Sequence, residues 1–172
     1  MNRANLLLAA IALGHCAVLA QQGGGAAVPS VARVVTDRSV FEIGPEAVAR
    51  RFAPLASLRA TVATREARRF TGENRDRGIA WVTVDFQATG KEPRPWAFLQ
   101  SQICLLGTDL GAARSEFAKA LGPAKIEEGR AVWSLGPHRE LSVKSGKFDP
   151  PDGGPAVNGV LVELGVLQGE PE

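Results

Sequence analysis

The sequence predicts an α+β fold: two helix-plus-three-strand units whose strands form an antiparallel sheet, with helices packed on one face. Three observations predict it. Residues 79–86 alternate strictly, with Trp81, Thr83 and Asp85 on one side and Ala80, Val82, Val84 and Phe86 on the other, the period of a strand with two different faces. Two segments instead carry apolar residues at helical spacing: Val48, Phe52 and Leu55, then Leu110, Ala113, Phe117, Ala120 and Leu121. Gly- and Pro-rich turns separate the remaining strand-like runs, giving the order helix, three strands, helix, three strands.

The chain opens on an export signal. Arg3 supplies the positive start, residues 6–13 an apolar run, and Val18-Leu19-Ala20 the small residues that a signal peptidase inspects, so cleavage is expected after Ala20. The apolar run is too short for a stable membrane span and is broken by Gly14 and His15. Leu13-Gly14-His15-Cys16 approaches a lipoprotein signal, but His15 stands where a small residue is needed, which argues against a lipid anchor at Cys16. The expected location is the periplasm or the extracellular medium. Residues 21–30 (QQGGGAAVPS) read as a flexible tether.

The first unit spans 31–106. Residues 39–43 suggest a short strand or an extended lead-in. Gly44-Pro45 then starts a helix, because proline fits the first helical position, where no N–H is needed. Pro54 limits that helix. Residues 64–71 form an arginine-bearing strand, 72–78 a polar turn, 79–86 the second strand, 89–95 a loop and 96–106 a third strand, apolar on both sides and therefore central.

The second unit spans 107–168, leaving a polar tail at 169–172. Thr108 or Asp109 caps its helix and Gly122-Pro123 stops it. Residues 130–135 and 140–148 form a hairpin across Gly136-Pro137-His138. The run 149–155 (DPPDGGP) is a loop, and 157–167 is a last strand with Val160, Val162, Leu164 and Val166 in register.

Residues 107–167 resemble a known repeat. Thr108-Asp109-Leu110 opens a helix, Leu121-Gly122-Pro123 closes it, and Gly129, Trp133 and a strand hairpin follow. This is similar to the repeat of the β-lactamase inhibitory proteins and of the small lipoprotein of the outer-membrane barrel assembly machinery. The resemblance implies an extracytoplasmic binding module without catalytic activity. The chain departs from it in having no tyrosine, so an aromatic contact must come from Trp or Phe, and in lacking a lipidation cysteine in good context.

Composition restricts the chemistry further. Removal of the leader leaves one domain's worth of chain, near neutral in charge, with 45% hydrophobic residues in the whole sequence. A near-neutral exported protein whose aromatics do not interleave with its basic residues is a poor match for nucleic acid. Cys104 has no internal partner once Cys16 is removed and lies in an apolar run, as a buried small hydrophobe does. His138, the remaining histidine, sits in a turn, which offers neither a nucleophile–base pair nor a zinc site. No cofactor motif is present: Gly23-Gly24-Gly25 follows no strand and opens no helix. Asp149 and Asp152, flanked by proline and glycine, read as turn formers.

The distinctive charge feature is Arg50, Arg51, Arg59, Arg65, Arg68, Arg69, Arg75 and Arg77, set against only Glu66, Glu73 and Asp76. A guanidinium fork binds carboxylates in bidentate fashion. The expected function is therefore a non-enzymatic protein-binding module of the cell envelope, an inhibitor or an assembly factor, whose partner has an acidic surface. Its contact residues are expected to be Arg65, Arg68, Arg69 and Trp81 on the open sheet face. A small-ligand or lipid-binding protein is the alternative and requires an enclosed apolar cavity between sheet and helices. An aspartate-dependent hydrolase, the third reading, requires two carboxylates in one cleft.

Overall fold

The computed structural model describes residues 27–90 and 95–166. The predicted leader with its cleavage point after Ala20, Cys16, most of the tether and the tail at 169–172 lie outside the described residues. Among the described residues eight strands form one antiparallel sheet in the order β1-β2-β3-β4-β8-β7-β6-β5. They are β1 (Arg59–Ala63), β2 (Ala67–Asn74), β3 (Ile79–Ala88), β4 (Trp96–Leu105), β5 (Lys125–Glu127), β6 (Arg130–Ser134), β7 (Arg139–Phe148) and β8 (Val157–Val166). Among the described residues, three α-helices, α1 (Val28–Val35), α2 (Pro45–Phe52) and α3 (Leu110–Leu121), join the buried core on one side.

The predicted α+β class with an antiparallel sheet is thus present, with four strands in each half rather than three. β1 and β5, the two additional strands, are the outer ones. β1 is exposed almost throughout, so its residues RATVA carry no alternation to read. β5 has only three residues. The strand expected at 64–71 begins at Ala67 instead, because Thr64 closes a turn: its hydroxyl oxygen accepts hydrogen bonds from Glu66 N at 3.2 Å and Ala67 N at 2.9 Å.

The N-terminal region also differs from expectation. Residues 28–30, assigned to the tether, open helix α1, which buries Val28, Val31, Ala32, Val34 and Val35. Valine disfavours helix only weakly, and burial of this face decides the outcome. Residues 38–41 form a 3-10 turn rather than a strand. Asp37 starts it by accepting a hydrogen bond from Ser39 N at 3.0 Å. The Ser39 side chain first, then this N–H bond, and Arg51 2.7 Å away hold the Asp37 carboxyl below its ordinary range. α2 starts at Pro45 as predicted but ends at Phe52, before Pro54, so Leu55 lies in the following turn rather than on the helix; Val48, Phe52 and Leu55 are all fully buried.

α3 is capped by Asp109, whose carboxylate accepts from Ala112 N at 2.8 Å, and ends at Gly122 with a left-handed φ of 81°. Its buried stripe is Ala113 and Phe117, flanked by Leu110 and Leu121, while Ala120 is exposed. Trp133 of β6 ties the helix end to the sheet by donating from Nε1 to the Gly122 carbonyl at 2.9 Å.

The core lies between the helices and one sheet face, where Phe52, Phe86 and Phe117 are the largest fully buried side chains. Burying each contributes on the order of 1.5–3 kcal/mol. Edge-to-face contacts link Phe70 to Phe86, Phe86 to Phe98 and Phe98 to Phe41, with centroids 6.2, 5.8 and 5.2 Å apart. β4 is central, as expected, between β3 and β8. Ala80 does not share the face of Val82: the β3–β4 register shifts between Ile79 and Trp81, and Ala80 joins Trp81, Cys104 and Leu161 on the other side. No helix among the described residues is long and apolar enough to cross a membrane.

Candidate binding cleft on the open sheet face

The sheet face turned away from the helices is built from alternate residues, and its polar groups answer one another across the strands. Arg69 on β2 lies opposite Asp85 on β3, which lies opposite Gln100 on β4. Arg69 donates to Asp85 from Nε at 2.6 Å and from Nη2 at 3.2 Å, and Gln100 Nε2 donates at 3.1 Å. The Asp85 bond keeps the Arg69 guanidinium protonated beyond its already high range. Further across the sheet, Glu163 of β8 accepts from Gln102 Nε2 at 3.0 Å and pairs with Lys144 of β7 at 2.8 Å. Arg130 pairs with Glu140 at 3.2 Å and with Glu127 at 3.5 Å, and Glu127 pairs with Lys125 at 2.7 Å. The cross-strand pairs Arg69–Asp85 and Lys144–Glu163 contribute a few tenths of a kcal/mol to about 1 kcal/mol each.

The same face carries an apolar patch at one end. Ala80, Trp81, Cys104 and Leu161 are buried there, against Leu106, Phe148 and Val157. Burial pushes the Cys104 thiol up to about 11, the nearby Arg75 charge only partly opposing it. At pH 8 only about one thiol in a thousand is then ionised. Cys104 is expected to stay unlabelled by a thiol reagent in the folded protein at pH 8 and to label fully after urea unfolding, as read by mass spectrometry of the peptide that contains it.

Beside the patch lies a cleft of about 640 Å³. One wall is the face of β1–β3, with Arg59, Thr61, Val62, Arg69, Thr71, Ala80 and Trp81; the other is the loop between β7 and β8, with Pro150, Pro151, Asp152 and Pro155. The sequence makes this wall out of a segment that can be neither helix nor strand. Its Asp152 carboxylate accepts from Gly154 N at 3.3 Å, the turn-forming role expected of it. Gly72 allows the chain before β1 to lie close, since a Cβ there would stand 2.6 Å from the Ser57 carbonyl oxygen.

The four predicted contact residues separate. Arg69 and Trp81 line the cleft. Arg68, one position from Arg69 on the same strand, lies on the opposite face, where it pairs with Glu46 and stacks over the Trp96 ring at 4.7 Å. Arg65 is exposed in the turn between β1 and β2 and does not line the cleft. Arg59 and Arg75 line it, although sequence reasoning placed them only in the general arginine cluster. Strand period 2 separates Arg68 from Arg69; the reach of the Pro-rich loop to β1 has no signal in local spacing.

Two features of the cleft stand out. Trp81 is only 5% exposed, and its Nε1–H has no acceptor among the described residues. Arg59 is exposed and meets no acid among them, whereas Arg69 is held by Asp85 and Arg75 by Glu73 at 3.2 Å. Among the described residues no group of three or more His, Cys, Asp or Glu side chains is placed to hold a metal ion. Asp149 is exposed, and His138 is exposed in its turn with φ 56°. Comparison with family models, curated proteins and solved structures found no match to this chain.

Proposed function

We propose that the chain is an exported, non-enzymatic protein-binding module of the cell envelope, an inhibitor or an assembly accessory, whose contact surface is the sheet face away from the helices. The observation that carries this reading is the cleft on that face, where Trp81, Arg59, Arg69 and Arg75 meet. Trp81 lies almost covered at the floor, and arginines, a residue type in which binding energy concentrates, line the cleft around it. The neighbouring charges are already paired with one another, which keeps the rest of the face soluble and gives it a defined pattern of donors and acceptors for a partner to match.

Two further considerations support it. The leader at 1–20 directs the chain out of the cytoplasm. Each half ends in a four-strand meander, preceded by α1 and α2 in the first and by α3 alone in the second, and the last strands, β4 and β8, pair at the centre of the sheet. We read the halves as two units sharing one core, since a single short helix covers only part of a sheet's apolar face. The sheet–helix space where a small-ligand protein would hold its cargo is occupied by Phe52, Phe86 and Phe117.

The test is affinity capture with the tagged chain expressed in its own cell, from the envelope fraction at mild salt. One stoichiometric partner is expected. It is expected to be retained by Arg114→Glu on α3 and weakened by Lys144→Ala on the open face. Recovery of no partner, or loss with the helix variant alone, would overturn the proposal.

A further inference from the structure

We infer that the cleft takes an extended peptide segment of the partner, one acidic side chain meeting Arg59 and a main-chain carbonyl meeting the Trp81 indole N–H. The inference rests on the protein-binding reading and specifies what enters this part of the face.

The free groups on the walls define the ligand. Arg69 and Arg75 spend their charge on Asp85 and Glu73, so Arg59 is the lining arginine left to meet a carboxylate from outside. Trp81 supplies the second requirement. A buried N–H without an acceptor is costly, and a carbonyl that reaches it as its thin cover shifts removes that cost. Val62, Val157 and the loop prolines give the cleft apolar walls between its polar points, suited to the side chains of an extended segment. About 640 Å³ is a volume typical of sites that enclose a short segment or a drug-sized molecule.

The acids on the same walls decide against a polyanion. Glu73 and Asp152 also line the cleft. Glu73 is neutralised by Arg75, but Asp152 would repel a doubly charged phosphate brought to Arg59 more strongly than the single carboxylate of a peptide. A peptide carries one carboxylate on a backbone whose own N–H groups can face Asp152, so its mixed polarity matches a mixed lining.

The Arg59 side chain makes no hydrogen bond or ion pair among the described residues, and the backbone pairing of Arg59 with Thr71 does not depend on it, so its replacement isolates the charge. The experiment pans a random heptapeptide display library on the full chain and then titrates the selected peptides into wild type, Arg59→Gln and Arg65→Gln. Three outcomes are expected. One Asp or Glu is enriched in the selected peptides. Affinity falls tenfold or more with Arg59→Gln and less than twofold with Arg65→Gln. The NMR indole N–H signal of Trp81, assigned with Trp81→Phe, shifts on binding while that of Trp133, already bonded to Gly122, does not.

Selection of no peptide, of peptides without an acid, or of peptides indifferent to Arg59→Gln would overturn the inference. So would binding of phosphatidylglycerol vesicles or inorganic phosphate that depends on Arg59. If the chain captures an envelope partner equally well with and without Arg59→Gln, the peptide cleft fails and the protein-binding module stands. If peptides bind as expected but no envelope partner is captured, the reverse holds.

Discussion

Phe86→Ala is expected to lower the unfolding free energy by about 3–5 kcal/mol, the range for removing a fully buried aromatic ring. Phe86 is 1% exposed and sits between Phe70 of β2 and Phe98 of β4, touching both rings edge to face. Its loss removes the area it buries and opens a gap that the neighbours cannot close, because β3 is fixed by pairing on both sides. The two ring contacts add about 0.5–1.5 kcal/mol each beyond burial. Urea denaturation at pH 7 checks it, read as a shift in midpoint with an unchanged slope. Phe86→Leu is expected to recover more than half of the loss. A loss below about 1 kcal/mol for the alanine variant would mean that the ring is not packed as described.

Gly159→Ala is the second large effect, and its cause is the opposite one. The backbone of β8 passes so close to β4 that a Cβ at 159 would fall well inside van der Waals contact with the Leu105 carbonyl oxygen and 3.1 Å from Cys104 Sγ. The first obstacle is backbone, which cannot turn aside as a side chain does. β8 must move outward, disturbing the central β4–β8 pairing and the apolar patch of Trp81, Cys104 and Leu161 together. The expected cost is about 2–3 kcal/mol, at the upper end of overpacking effects, with a thermal midpoint lowered by roughly 5–10 °C. Gly44→Ala serves as control: nothing lies within 4 Å of its added Cβ, and it is expected to stay within about 0.5 kcal/mol of wild type. Scanning calorimetry of the two variants separates close backbone approach from a general cost of losing a glycine.

Much of this architecture is legible in the residues that alternate or recur. The faces of β3 can be read from Trp81, Thr83 and Asp85 against Val82, Val84 and Phe86, and the helices from Pro45, Val48 and Phe52 and from the Asp109 cap and Gly122 stop. What escapes has physical causes. β1 is an edge strand wet on nearly all its residues, so no face imposes a pattern on it. α1 starts inside the stretch that reads as a tether, and its valines favour helix too weakly to mark one when their burial is unknown. The register shift around Ala80 moves one alanine to the wrong side of an otherwise regular alternation.

The binding cleft is legible only in part. Arg69 and Trp81 can be named from their strands, because alternation puts both on the face away from the helices. The same rule, applied once β2 begins at Ala67, removes Arg68. Arg59 and the loop wall depend on a tertiary contact between residues nearly a hundred positions apart, and nothing in local spacing carries that information.

The most direct test of the central claim is hydrogen–deuterium exchange of the full chain, free and in complex with the partner it captures. The open-face account predicts slowed exchange in β1 to β3 and in the loop at 150–157, with α1 and α3 unchanged. Protection confined to the helices, or none at the cleft, would contradict it.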